Sequence, residues 1–383
     1  MRSIGLDLGA RHIAYCEVRN GEVIDRTSVK RLEQLKSRIG PDCPRACVAF
    51  EASREGWHVH DTLVSWGHRA MMIDTTRVRA MGVAHHMRKN DALDAEVAAR
   101  AVDQGRIPEA HILSPERRAL RAQLSVRGAL VETRAQYVTT IRGLGRAAGV
   151  LLPGCTTENF VGKVQASSLD EETRTLIEPL MAVLVGVESE LSKVEHTLSE
   201  MAMREPIIAL LATAPGVGLI IASTFVSVID EAKRFKNAQA VGAYLGLVPS
   251  ELTTGGPDKR RLGSITKQGN THARRMLIQA AWLILRSRNI DDPIRQWGDR
   301  LAKTRGKRIA VVALARKLAG VLWAMWRDGT AYDAVGQAKA SAKGNRKAAR
   351  LKQASAEALE RAAKKLQRRA PRCDKTSEAA AMT

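Results

Sequence analysis

A chain of 383 residues with 45% hydrophobic side chains has room for two or three domains with buried cores. Its 61 Lys and Arg against 40 Asp and Glu leave a formal net charge of +21. That charge favours nucleic acid, because each neutralised phosphate releases counterions, and no basic amphipathic stretch beside an anchor points to a membrane. Five cysteines without paired spacing exclude a disulfide framework. Cys43 and Cys47 have no second pair or histidine array to complete a zinc site, so the thiols are read as free in a reducing cytoplasm.

In chain order, MRSIGLDLG enters a strand directly, with no signal-peptide apolar region. SIGLDLGA reads as a first strand and HIAYCEVR as its partner; Asn20-Gly21 then signals a two-residue hairpin before VIDRTSV. Arg31 to Ile39 is predicted helical, ACVAFEA a short apolar strand, Trp57 to Trp66 an amphipathic helix, AMMID another buried strand and Asn90 to Val102 a closing helix. Three hairpin-connected strands followed by alternating helix and strand is the order of an α/β ribonuclease H-like (RuvC-like) fold, expected over 1–112.

Residues 113–204 turn to long charged helices. Leu176, Leu180, Val183, Val187, Val194, Leu198 and Met201 keep near-heptad spacing, with Glu190 interrupting the seam. Leu120 to Leu144 carries a looser apolar stripe, and Pro153-Gly154 turns between the two. A helical hairpin or coiled coil is expected, acting as a spacer or joining subunits in a homo-oligomer. Residues 205–330 read as a second, mostly helical unit. Within it, Ile207 to Ile229 is uncharged and long enough to span a bilayer, but Pro215-Gly216-Val217-Gly218 breaks its middle, so two buried helices around a turn are predicted. The segment 331–383 carries 13 Lys and Arg against 5 Asp and Glu, and is expected to be a disordered or marginally helical basic tail.

Four carboxylates form the sharpest chemical signal. Asp7 lies in the first strand within GLDLG, where a flanking glycine permits close approach of a ligand. Glu51 ends the fourth strand, which lies beside the first in this fold. Asp91 and Asp94 sit at i and i+3 and share one helix face. Each alone is most often a cap, turn or solvated residue. Together they suit a hard divalent cation, magnesium or manganese, in a phosphoryl-transfer site. APGVGLIIA reads as a helix-hairpin-helix turn in which Gly216 and Gly218 let backbone approach a phosphate, or equally as a tight turn packed in the core. Lys259, Arg260, Arg261, Lys267, Arg274 and Arg275 lack interleaved aromatics and suit phosphate contact better than base stacking.

GLDLGA, FEAS and KNDALDAE resemble the DEDD RuvC-like domain of a large insertion-sequence transposase family that includes pilin-gene invertases and bridge-RNA-guided recombinases. APGVGLIIAS, RFKNAQAVGAYLGLVPSE, LGSITKQGNTHARRMLIQAAW and RIAVVALARKLAGVLWAMW resemble the family's C-terminal transposase domain, so the likeness spans about 1–328. It implies that Asp7, Glu51, Asp91 and Asp94 bind metal, and that DNA is the substrate. It further implies an element-encoded non-coding guide RNA as a partner of some members. The helical hairpin points to a dimer or tetramer, and the free thiols to a cytoplasmic, nucleoid-associated bacterial location. The family's nucleophilic serine follows the LGLVP segment; here SELTTGG places Thr254 at that position. Threonine keeps the hydroxyl, but its methyl group crowds an in-line attack. A metal-dependent nuclease or junction resolvase, and a non-catalytic DNA-binding relic, are the alternatives.

Overall fold

The computed structural model describes residues 1–73, 91–105, 107–252, 261–287 and 292–333, together with Glu357, Glu360, Arg361 and Lys364. Contacts divide the chain into Met1–Leu113 and Ser114–Thr383.

In the first unit, β1 (Arg2–Leu8), β2 (Ile13–Arg19) and β3 (Glu22–Val29) form an antiparallel meander. The Asn20-Gly21 turn carries positive φ at both residues, 55° and 83°, as a two-residue hairpin connection demands. After a 3-10 turn and the short α1 (Lys36–Ile39), β4 (Ala46–Glu51) joins β1 in parallel. Helix α2 (Gly56–Ser65) returns the chain to β5 (Arg69–Ile73), parallel to β4. The sheet order is β3-β2-β1-β4-β5, the ribonuclease H-like arrangement expected from element order. One face packs Ile4, Leu6, Val48 and Phe50 against α2 and the segment around Leu35. The other is covered by α3 (Asp91–Asp103), whose Ala95, Ala98 and Ala99 are small enough to lie flat on it. A part-buried ion pair locks the start of β1: Arg2 donates to both carboxylate oxygens of Glu17 at 3.0 and 2.7 Å, and Tyr15 donates to the same group.

The second unit opens with α4 (Pro115–Ala147), started by Ser114 and by Pro115 in its first turn. After α5 (Phe160–Gln165), α6 (Glu171–Met203) runs back antiparallel to α4, and Arg127–Glu195 and Arg134–Glu188 ion pairs cross between them. The seam differs from the expected one. Ile177, Leu184, Leu191 and Leu198 repeat every seventh residue and are buried, whereas Leu176 and Val183 are 60% and 47% exposed. Glu190 therefore does not interrupt the seam; it sits beside it and pairs with Lys193.

The rest is a helical bundle: α7 (Pro206–Leu211), α8 (Leu219–Ile229) and α9 (Ala238–Tyr244), a two-stranded hairpin of β6 (Pro249–Leu252) and β7 (Arg261–Ile265), then α10 (Thr271–Arg286), α11 (Pro293–Arg305) and α12 (Lys307–Asp328). The apolar run 207–229 is indeed two helices around a turn, and α8 is buried from Ala222 to Ile229. Helix α12 is the one described helix long and apolar enough to cross a membrane, and more than half of its apolar window is buried in this bundle. Packing continues past 330: Ala331 is buried, and the Tyr332 hydroxyl donates to Asp292 at 2.6 Å.

Candidate active site and nucleic-acid interface

The four carboxylates lie toward one end of the first sheet. Leu6 and Phe50 are register partners in the parallel β1–β4 pair, so Asp7 and Glu51 are the next residues on two adjacent strands. Because Leu6 and Phe50 enter the core on one face, alternation turns Asp7 and Glu51 to the other, the face under α3. Helix α3 runs antiparallel to β1. Near its end, Asp103 accepts from Ser3 Oγ at 3.1 Å and from the Gly21 amide at 2.8 Å, and Arg100 donates to the Gly21 carbonyl at 2.7 Å. Glu96 is paired with Arg26 of β3. At the opposite end, Asp91 Oδ2 comes within 3.8 Å of where a Cβ on Gly9 would lie.

Asp91 and Asp94 are thus the first-turn acids of a helix whose N-terminus overhangs the ends of β1 and β4. Asp91 is one turn before Ala95, which packs on β2, and Asp94 one turn before Ala98, which packs with Ala49 of β4. The carboxylates share an end and a face, and both helix acids are exposed. Among the described residues, no three His, Cys, Asp or Glu side chains are closed together tightly enough to hold a metal ion. The donor chemistry still fits one, since four carboxylates would offer the hard oxygens that such an ion takes.

The second group surrounds the β6–β7 hairpin. Its strands pair Glu251 with Leu262 and Leu252 with Arg261, so 253–260 form the connection. Thr254, Lys259 and Arg260 lie there, outside the described residues. Ser250, the nearest described hydroxyl, donates to the Ser264 carbonyl at 2.9 Å and is engaged in the hairpin. The base of the hairpin is closed by two loops that cross with almost no clearance. Gly246 (φ 67°) would bring a Cβ within 2.0 Å of the Gln268 carbonyl, and Gly269 (φ 81°) within 2.0 Å of the Tyr244 carbonyl.

Two family models match the chain: an IS110-type DEDD transposase domain over residues 4–144, and "Transposase IS116/IS110/IS902 family" over residues 208–295, together more than half of it. The chain is 29% identical to a "Probable family 20 transposase" of Pseudomonas aeruginosa, over 86% of this chain and 98% of that protein. It is 25% identical to the transposase for insertion sequence element IS1328 of Yersinia enterocolitica, over 86% and 98%, and 25% identical to that for IS1111A of Coxiella burnetii, over 85% and 89%. The chain belongs to the IS110/IS116/IS902 transposase family.

Within this transposase the basic residues expected at phosphate divide sharply. Arg261 and Lys267 are exposed, Lys267 with φ 56°. Arg274 is only 7% exposed. Its guanidinium donates to the carbonyls of Leu245 at 3.1 Å, Gln268 at 2.8 Å and Gly269 at 3.3 Å, so it staples the crossing loops rather than facing solvent. Arg275 is exposed but pairs with Glu132 of α4 and bonds His272 Nδ1 at 3.2 Å; burial first, then the Arg275 charge, hold that imidazole below its usual pKa.

The turn glycines divide too. A Cβ on Gly216 (φ 71°) would fall 2.7 Å from Ile284 Cγ1, which makes it a core-packing glycine, whereas Gly218 faces open space ahead of α8. The sequence reading missed a further cationic set, Arg305, Arg308, Arg316 and Lys317, which line a groove beside the hairpin. Its signal was the run KTRGKR at 303–308, a basic turn between two amphipathic helices.

Proposed function

We propose that the transposase cleaves and exchanges DNA strands for movement of its insertion sequence, with Asp7, Glu51, Asp91 and Asp94 holding a divalent cation and Thr254 supplying the nucleophilic hydroxyl. The observation that carries the reading is the placement of the first-turn acids of α3 over the adjoining strand ends that bear Asp7 and Glu51. Magnesium or manganese held there would supply positive charge to phosphoryl oxygens as charge builds on them.

The remaining work falls to the chain. The Thr254 oxygen attacks phosphorus and forms a threonine phosphodiester. The sugar oxygen leaves with the proton that the threonine gives up, relayed by a carboxylate. Attack by a sugar hydroxyl from the exchanged strand reverses the step and frees Thr254. The reading requires the carboxylates and Thr254, from one chain or from two copies, to reach the same phosphodiester. The exposed stripe of Leu176, Pro179 and Val183 on α6 supports a homo-oligomer, dimer or tetramer. The charge of +21 suits an element-encoded guide RNA as well as DNA.

Denaturing electrophoresis of the full-length protein on labelled element-end DNA tests the reading. Wild type captures DNA covalently, Thr254→Ser captures as much or more, and Thr254→Ala and Asp7→Ala capture none. Capture by Thr254→Ala would move the nucleophile elsewhere, and DNA cut without capture would make the protein a metal-dependent nuclease.

A further inference from the structure

We propose that the groove between the β6–β7 hairpin and α12 holds the sugar–phosphate backbone of a DNA strand. The inference rests on the strand-exchange reading and gives the strand its path.

The groove encloses about 1290 Å3. One wall is Leu262, Gly263 and Ser264 of β7, the strand that returns from the connection containing Thr254. The other wall is the α11–α12 corner and the outer face of α12. Arg305 ends α11, Gly306 makes the corner with φ 85°, Arg308 lies in the first turn of α12, and Arg316 and Lys317 follow further along it.

Arg308 to Arg316 spans eight residues of helix, a rise of about 12 Å, which matches three to four nucleotides of a B-form strand at about 3.4 Å each. Among the described residues none of these four cations has an ion-pair partner. Of the two acids on the lining, Asp328 is held by a bidentate contact from Arg327 at 2.7 and 2.8 Å, and Asp333 is also engaged. The groove therefore carries a concentrated, uncompensated positive charge.

Its floor is apolar, with the Trp297 ring under Lys317 Nζ at 4.6 Å from the ring centre. That combination suits a strand that presents phosphates to the cations and sugars to the floor.

Fluorescence anisotropy with labelled duplex and single-stranded DNA, between about 50 and 200 mM salt, tests this on the full-length protein. The Arg305→Ala/Arg308→Ala protein is compared with wild type and with Arg146→Ala/Lys163→Ala, which removes the same charge from exposed sites on the α4–α6 hairpin. Melting curves check that all three are folded. The groove variant is expected to flatten the slope of log affinity on log salt by about 1.8 for duplex or 1.4 for single strand, and so to bind roughly 25- to 60-fold more weakly at 0.1 M salt. The control pair is expected to keep the wild-type slope.

Equal losses in both variants would mean that overall charge, not the groove, is responsible. An unchanged slope in the groove variant while wild type binds DNA would overturn the groove alone. Wild type without salt-dependent DNA binding would overturn the strand-exchange reading itself. If DNA binding stays intact but the light-scattering mass of the groove variant falls, the groove holds an acidic protein segment instead.

Discussion

An alanine at Gly5 probes how the carboxylates are held together. Gly5 lies on β1 directly beneath α3, and a Cβ there would stand 1.9 Å from the Ala95 carbonyl oxygen, 2.6 Å from the Ala99 amide nitrogen and 2.9 Å from Ala98 Cβ. The two shortest contacts are helix backbone, so no rotamer relieves them and α3 must lift by roughly 1.5 Å to regain ordinary contact. Asp91 and Asp94 would rise with the helix while Asp7 and Glu51 stay with the strands. Overpacking of this kind costs about 1–3 kcal/mol, and a displacement near 1 Å at a reacting centre costs on the order of 100-fold in rate. Gly5→Ala is therefore expected to remain folded, to lose that stability in urea titration, and to slow covalent capture of DNA by about 100-fold or more. Adding Ala98→Gly should recover little, because the backbone contacts persist. Wild-type stability would refute the packing argument; reduced stability with an unchanged capture rate would refute the role of the α3 acids.

Glu17→Ala removes the acceptor that Arg2 and the buried Tyr15 hydroxyl share and should cost about 1–3 kcal/mol in denaturant titration. Hydrogen bonding from Arg2 holds Glu17 below its usual value of 4.5, so the stability it provides is complete above about pH 4.5 and fades as pH falls through the lower folded value. Glu17→Gln should abolish that acid-side dependence, and an unchanged pH profile would count against the pair. Arg274→Met strips donors from carbonyls at the hairpin base and should lower stability by about 1–3 kcal/mol while leaving the salt dependence of DNA binding as in wild type. A flattened salt slope would restore Arg274 to the phosphate contacts.

The sheet is legible because each strand carries its own pattern: Asn20-Gly21 marks the β2–β3 hairpin, and Asp7 reads as a residue of the first strand. The glycine beside Asp7 was legible as a close approach but not as an approach by what. Of the two glycines that flank Asp7, Gly5 admits α3, and Gly9 lies near Asp91. Periodicity on α6 is legible but falls one residue early at Leu176 and Val183, since Ile177 and Leu184 are equally apolar neighbours and only the position of α4 chooses between them. Arg274 shows the limit of composition. A cation in a basic run looks solvated until the carbonyls of Leu245, Gln268 and Gly269, distant or hidden in sequence, turn toward it. Arg305, Arg308, Arg316 and Lys317 belong together only once the turn at Gly306 folds α12 back past the hairpin.

Helix α4 belongs to two histories. The DEDD family match runs to residue 144, nearly the whole helix, yet Leu120 and Leu124 at its base are part of the core built around α8 and α12. Inheritance and packing therefore draw the border in different places. An exchange of halves between relatives at residue 144 would separate Leu120 and Leu124 from the Leu198, Phe225 and Leu322 side chains of their core. An exchange at Leu113–Ser114 leaves every hydrophobic cluster whole. Chimeras of these transposases should be tolerated at that second junction, and the α4–α6 hairpin should travel with the C-terminal half as one piece.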